Sequence, residues 1–275
     1  MQLTLGFSTC PNDTFIFDAM IHQKVDTEGL QFDVILADVE ELNRNAFNGT
    51  IDITKLSYHA FAHISTNYKL LTSGSALGYK NGPLIISKRK IYPDELGDVK
   101  MAIPGKMTTA NFLLSILFPE VQNKSEYLFS DIEEAIQSNE MDAGLIIHET
   151  RFVYAKNGLK LVSDLGALWE EKFKLPIPLG GIVVKRSLRD SLKLQIQQKV
   201  SESVKFAFAN RLTSLAYIKQ HAQELDDAVI NQHVDLYVNE FSIDLGEKGR
   251  SAINLLFHKG DEAGLFELKD NKIFV

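Results

Sequence analysis

Through roughly its first 190 residues the chain alternates short apolar runs with segments whose apolar residues recur every three to four positions. That alternation constrains the fold more than any other feature. A strand–helix–strand order with one apolar face per helix is accommodated by largely parallel sheets with helices laid against them. Residues 3–7, 32–37, 51–56, 99–103, 126–129 and 142–147 read as strands. Residues 14 to 22, 39–47, 58–64, 108–118 and 131–138 read as helices, with Asn48-Gly49 closing one of them and Pro104-Gly105 marking a turn. After Ser187 the pattern becomes helical: 192–210, 212–223, 226–239 and 246–258 carry helical apolar spacing and are expected to pack back onto the first lobe. The tail 265–275 has no clear pattern.

Two segments look like counterparts. Residues 82–89 and 180–186 share a glycine start, an apolar centre and a Lys-Arg end, and they bracket the second α/β series. Crossover strands of a two-lobed hinge protein would do the same. The expected division is a large α/β lobe from 1–88 and 187–275, including the C-terminal helices, and a small α/β lobe from 89–186. A short echo, Asn-Gly-Thr-Ile-Asp-Ile-Thr-Lys-Leu-Ser (48–57) against Asn-Glu-Met-Asp-Ala-Gly-Leu-Ile-Ile-His (139–148), runs helix end, Asp, strand, polar residue in both. If the lobes are related, Ser57 and His148 face one cleft from opposite sides.

The formal net charge of -7 argues against nucleic acid or an anionic membrane surface as partner. No apolar run is long enough to cross a bilayer. One cysteine, Cys10, excludes an intramolecular disulfide and a cysteine-cluster metal site, and no His-x-x-x-His spacing surrounds His148. Residues 1–7 already alternate like a strand with no leader pattern before them, so the expected location of a complete chain is cytoplasmic. The pattern leaves oligomeric state open.

The candidate site lies at strand ends, where open α/β sheets bind ligands. His148 follows an apolar strand, and an imidazole there exchanges protons near neutral pH. The bland alternative is a structural histidine, and neighbouring Glu149 either orients the ring or starts a helix. The other six histidines, His22, His59, His63, His221, His233 and His258, fall on expected helices and read as surface or cap residues. Asn12 or Asp13 reads as an N-cap before Thr14, with Ser8 and Asp13 lining the cleft as the alternative. Lys55 is either a solvated rim charge or an anion contact, and Ser57 either caps the next helix or serves a ligand. Thr108 and Thr109 open a helix after a turn, offering hydroxyls and backbone N–H groups to a carboxylate, although no phosphate-binding P-loop is present. Cys10, followed by proline and without a nearby base, is a poor nucleophile.

Five segments occur together in one order: Gly-Phe-Ser-x-Cys-Pro-Asn-Asp-Thr-Phe (6–15), Asp-Val-Glu-x-Leu-Asn (38–43), Thr-Lys-Leu-Ser-Tyr (54–58), Pro-Gly-Lys-x-Thr-Thr-Ala (104–110) and Ala-Gly-Leu-Ile-Ile-His-Glu-x-Arg-Phe (143–152). With Asp-Leu-Gly-Ala-x-Trp-Glu-Glu (164–171) and Tyr-Val-Asn-x-Phe-Ser (237–242), the chain resembles the 1,4-dihydroxy-6-naphthoate synthase family of the futalosine route to menaquinone. The main departure from the pattern is the tail after about Gly264. The resemblance implies an α/β, two-lobed periplasmic-binding-protein type II-like fold with a central cleft and a two-strand hinge. It also implies a carbon–carbon lyase that splits cyclic dehypoxanthine futalosine, a small anionic substrate, into 1,4-dihydroxy-6-naphthoate and a three-carbon fragment. On that resemblance His148 is the proton acceptor. The segments Lys55-Leu56-Ser57 and Thr108-Thr109 contact substrate, Asp13 neighbours the reacting hydroxyls, and neither metal nor cofactor is called for. Two alternatives stay open: a non-catalytic solute-binding protein for a small carboxylate, and the chorismate dehydratase of the same route.

Overall fold

A computed structural model describes every residue except 149, 223–225 and 268–271. The chain starts with β1 (Gln2–Phe7), α1 (Pro11–Ile21), β2 (Gln31–Leu36), α2 (Val39–Phe47), β3 (Ile53–Ser57), α3 (Tyr58–Ile64), β4 (Tyr68–Leu70) and β5 (Ala76–Gly78). Its middle holds β6 (Leu84–Ser87), β7 (Met101–Ile103), α4 (Thr109–Leu117), β8 (Lys124–Glu126), α5 (Ile132–Gln137), β9 (Ala143–Ile146), α6 (Thr150–Val153), β10 (Lys160–Asp164) and α7 (Leu165–Phe173). The last part begins with β11 (Ile177–Lys185) and continues as α8 (Asp190–Ala209), α9 (Arg211–His221), α10 (Asp227–Tyr237), α11 (Glu240–Ile243) and α12 (Gly246–Glu262).

These elements form two compact units, Met1–Gly78 with Pro178–Val275, and Tyr79–Ile177. The units divide about ten residues earlier than the expected boundaries at 88/89 and 186/187. The reason is pairing: β6 hydrogen-bonds to β9 and β10 in the second unit, whereas β11 hydrogen-bonds to β3 and β4 in the first.

The two sheets have one topology. In the first unit the order is β2-β1-β3-β11-β4, with β5 also on β11; β1 is parallel to β2 and β3, and β11 is antiparallel to β3 and β4. In the second the order is β8-β7-β9-β6-β10, with β7 parallel to β8 and β9, and β6 antiparallel to β9 and β10. The two glycine-led segments therefore occupy the same place in their respective sheets. Both glycines are required by close approach. A Cβ on Gly82 would lie 2.3 Å from the Gly166 Cα, and one on Gly180 would lie 2.8 Å from the Leu56 carbonyl oxygen.

In the first unit α1 is buried on all sides, from Pro11 to Met20, which is why its sequence shows apolar residues without a polar face. It packs against α8, α9 and α10, the C-terminal helices. Ser203 on α8 donates its hydroxyl to the Ile16 carbonyl (2.6 Å) and accepts from the Met20 N–H (3.1 Å), tying the two helices through a buried polar bridge. Around it lie Phe7, Phe15, Phe17, Val200, Val204, Ile230 and Val234. Each such side chain, fully buried, contributes about 1.5–3 kcal/mol. The second unit has a smaller core built on Leu84, Ile86, Ala102, Ile132, Ile136 and Ile146.

Several expected elements shift. The first helix begins at Pro11 rather than Thr14, because proline at the first helical position surrenders an N–H that has no intrahelical partner. The strand expected over 126–129 lies earlier: β8 is Lys124–Glu126, and Phe129–Asp131 is a 3-10 turn. Short β4 and β5, and the β10–α7 pair, escape the apolar pattern. The tail gains a place, since Leu70 and Phe274 form a parallel bridge and Ile273 is buried. Part of that tail, the end of the helix expected over 212–223, and Glu149 lie outside the described residues.

Candidate active site

The carboxyl ends of β1 and β3 meet in a buried polar cluster within the first unit. Because the helix starts at Pro11, Asn12 and Asp13 sit inside its first turn, and the N-cap is Cys10, which makes no side-chain capping bond. The N-cap expectation for Asn12 or Asp13 is thereby corrected: both side chains point into protein. Asp13 is 3% exposed. Its Oδ2 accepts the Ser8 hydroxyl (2.7 Å) and N–H (3.3 Å), while Oδ1 accepts the Asn12 amide (2.8 Å) and the Lys55 ammonium (3.2 Å). A carboxylate has about four lone-pair sites, so these four donors saturate it.

Lys55 is 5% exposed, which corrects the solvated-rim alternative. A buried ammonium needs both a counter-charge and hydrogen bonds. Asp13 supplies the first, and the Gly74 carbonyl accepts a further bond at 2.8 Å. These take two of its three protons. The third has no acceptor among the described residues.

Strand alternation puts Lys55 and Ser57 on one face of β3 and Leu56 on the other. The Leu56 side chain is fully buried, so any contact it makes to a ligand comes from its main chain. Ser57 makes no side-chain capping bond to α3. Asn43 on α2 holds it instead, its Oδ1 accepting the Ser57 N–H (3.0 Å) and its amide donating to the Ser57 hydroxyl oxygen (3.3 Å) and to Glu40 (3.0 Å). The Ser57 hydroxyl proton is uncommitted among the described residues. Next in sequence, Tyr58 shares a 2.7 Å hydrogen bond with Ser75; burial pushes its hydroxyl well above the ordinary range, and the Ser75 bond only partly offsets this.

In the second unit the turn after β7 behaves differently. Thr108 is the N-cap of α4: its hydroxyl accepts the Asn111 N–H (3.2 Å) and donates to the Gly105 carbonyl (2.8 Å). Its oxygen is thus engaged in capping. Thr109, 3% exposed, opens the helix proper. Beside them Lys124 donates to Asn111 (3.2 Å) and Ser115 (2.8 Å), with burial lowering its pKa.

His148 follows β9 in a left-handed backbone conformation, φ 58°. Non-glycine residues adopt this region seldom, and histidine is among those that do so more often. Such conformations cost on the order of 1–3 kcal/mol and collect at functional sites. The imidazole is half-buried and meets Phe129 edge to face, ring centroids 4.9 Å apart. Close by in sequence, Arg151 donates to the carbonyls of Gly82 (2.6 Å) and Lys80 (2.9 Å), tying α6 to the entry of β6. Between those two carbonyls Asn81 is fully buried, and neither its amide nitrogen nor its oxygen has a partner among the described residues.

Of the remaining histidines, His59 and His233 are buried, correcting their reading as surface or cap residues. His233 lies on α10 and reaches Asn12, with 2.8 Å between Nε2 and Oδ1. No local pattern announces that contact, which spans 221 positions. Cys10 is buried as well. Among the described residues no group of three or more His, Cys, Asp or Glu side chains is disposed to hold a metal ion. Nor is any helix among them long and apolar enough to cross a membrane.

Two α/β units of one strand order, with polar residues gathered at the carboxyl ends of parallel strands, are the architecture of periplasmic-binding-protein-like folds. The ligand-binding component of an ABC-type import system from Staphylococcus aureus shares that fold, with a TM-score of 0.73 at 15% identity over 100% of this chain and 96% of that one. Protein AF1704 from Archaeoglobus fulgidus superposes with a TM-score of 0.91 at 34% identity, covering 96% of this chain and 98% of that one. A family model described as menaquinone biosynthesis matches residues 3–262, and the chain belongs to that family. It is 44% identical to the 1,4-dihydroxy-6-naphthoate synthase of Thermus thermophilus over 273 residues, 99% of each chain.

Proposed function

We propose that this chain is a carbon–carbon lyase of menaquinone biosynthesis that converts cyclic dehypoxanthine futalosine to 1,4-dihydroxy-6-naphthoate. The observation that carries the reading is the 44% identity, end to end, with a synthase of that name. His148 is the proton acceptor. A carbon–carbon cleavage that ends in an aromatic ring has a large driving force on the product side, and it chiefly needs a base and donors for developing negative charge. His148, held on a strained strand end, fits the first need.

Ser57 fits the second, and Lys55 holds an oxygen of the substrate that is anionic before and during the reaction. Each has a proton uncommitted among the described residues and a position fixed by buried partners. Preorganised donors of this kind hold negative charge without reorganising during the reaction. Asp13, with its oxygens saturated, serves by holding Lys55 rather than by touching the reacting hydroxyls. Thr109 and the N-terminus of α4 bind an anionic group of the substrate, while Thr108 shapes that turn. The enzyme acts in the cytoplasm.

The test is incubation of the purified chain with cyclic dehypoxanthine futalosine while the appearance of the naphthoate is followed by fluorescence. Turnover is expected. Retention of intact ligand without product would overturn the lyase reading in favour of a binding protein.

A further inference from the structure

We propose that His233 is a positioning residue for turnover, acting through Asn12 and Asp13 on the Lys55 ammonium. This rests on the function proposed above. The four groups form one buried chain: His233 Nε2 to Asn12 Oδ1 (2.8 Å), Asn12 Nδ2 to Asp13 Oδ1 (2.8 Å), and Lys55 Nζ to the same Asp13 oxygen (3.2 Å). His233 is 0% exposed, and Asn12 and Asp13 are 7% and 3% exposed.

The direction of every bond follows from charge. An Asn12 carbonyl facing the Asp13 carboxylate would set two acceptors against each other, so the amide nitrogen must face Asp13. The Asn12 oxygen then faces His233, and an acceptor there requires a proton on Nε2. His233 therefore holds the Nε2–H tautomer, and the bond it donates fixes the plane of the Asn12 carboxamide. Without that bond the carboxamide turns, Asp13 Oδ1 loses one of its two donors, and the Lys55 ammonium is no longer held between Asp13 and the Gly74 carbonyl. The helix that carries His233 joins this network from the far end of the sequence. α10 thus does more than cover α1: it sets the orientation of a cluster at the end of β3.

Because Lys55 meets an anionic oxygen in both bound substrate and transition state, its displacement raises KM more than it lowers kcat. His233→Leu is expected to raise KM for cyclic dehypoxanthine futalosine by about tenfold, the size of one hydrogen bond to a charged network, with kcat within about threefold. His233→Gln, whose amide can still donate to Asn12, is expected to restore KM to within about threefold of the original. A loss that came only from weakened folding would move both variants alike and leave KM of the folded fraction unchanged. A wild-type KM in His233→Leu, or no advantage of Gln over Leu, overturns the proposal. Nitrogen-15 NMR of the unmodified protein adds an arm that needs no variant. A His233 signal of the Nε2–H tautomer supports the proposal, and one of the Nδ1–H tautomer overturns it. Absence of turnover by the unmodified protein would instead overturn the lyase reading, and with it any role of His233 in turnover, whatever tautomer the NMR found.

Discussion

The strand ends of β3 and β9 hold the same place in two sheets of the same topology, and they are built in opposite ways. Asp52 precedes β3 and accepts the Thr4 N–H at 3.0 Å, just as Asp142 precedes β9 and accepts the Lys100 N–H at 2.9 Å. Leu5 then pairs with Ile53 as Met101 pairs with Ala143. Counting forward from those pairs makes Ser57 the equivalent of Ile147 and Tyr58 the equivalent of His148. The echo between 48–57 and 139–148 is therefore present in the fold, but one residue out of register. From that common frame the β3 end buries a saturated Asp–Lys cluster, whereas the β9 end turns its backbone left-handed and presents a single half-buried imidazole. One end is suited to holding charge in place, the other to moving a proton. A shared scaffold thus leaves the chemistry of each end to a few side chains and one φ angle.

The comparison is broken most directly at His148. His148→Asn is expected to lower kcat by roughly 10²–10⁴-fold, the usual range for a general base. Asparagine tolerates the left-handed region, so the unfolding midpoint in urea should stay near that of the parent chain. Near-normal turnover in that variant would remove the proton-acceptor assignment.

At the other strand end, Lys55→Met leaves the Asp13 carboxylate buried without a counter-charge. Breaking a buried pair costs about 3–5 kcal/mol. Urea unfolding should register that loss, and Lys55→Met combined with Asp13→Asn should recover most of it. Failure of the double variant to recover would mean that Asp13 and Lys55 are not energetically coupled.

The two aspartates sharpen the comparison at lower amplitude. Burial pushes the Asp52 pKa up, but the Thr4 N–H, the Lys185 ammonium and the Thr4 hydroxyl outweigh it and leave the group below its ordinary value. A depressed folded-state pKa adds stability above the unfolded value, and that stability is lost as pH falls through the folded value. Asp52→Asn should therefore weaken the protein at neutral pH and converge with the parent chain in acid. Asp142 is exposed and has the Lys100 N–H as its hydrogen-bond donor among the described residues. Asp142→Asn should stay within about 0.5 kcal/mol of the parent chain in the same titration. Equal effects at the two positions would contradict the unequal bonding. Between these two in size, Thr108→Ala removes an N-cap and should cost about 1 kcal/mol, read from the same urea curves.

By itself the sequence determined most of the order of strands and helices, though not β4, β5 or the β10–α7 pair, together with the two glycine-led segments and the place of the candidate residues at strand ends. Apolar periodicity, capping and turn chemistry act between near neighbours, so they are written locally. Family membership was legible for a related reason: five short motifs in fixed order are each local. Only the tertiary structure decided which polar groups meet. Asp13 could be an N-cap or a cluster residue until Pro11 was seen to open the helix and Lys55 to reach it from β3. His233 could be any surface histidine until α10 packed on α1. The left-handed φ at His148 likewise has no local signal, and Arg151 beyond it bonds to Gly82 and Lys80, about seventy residues away. A buried charge or an unusual φ is stabilised by partners far apart along the chain, and no window of neighbouring residues contains them.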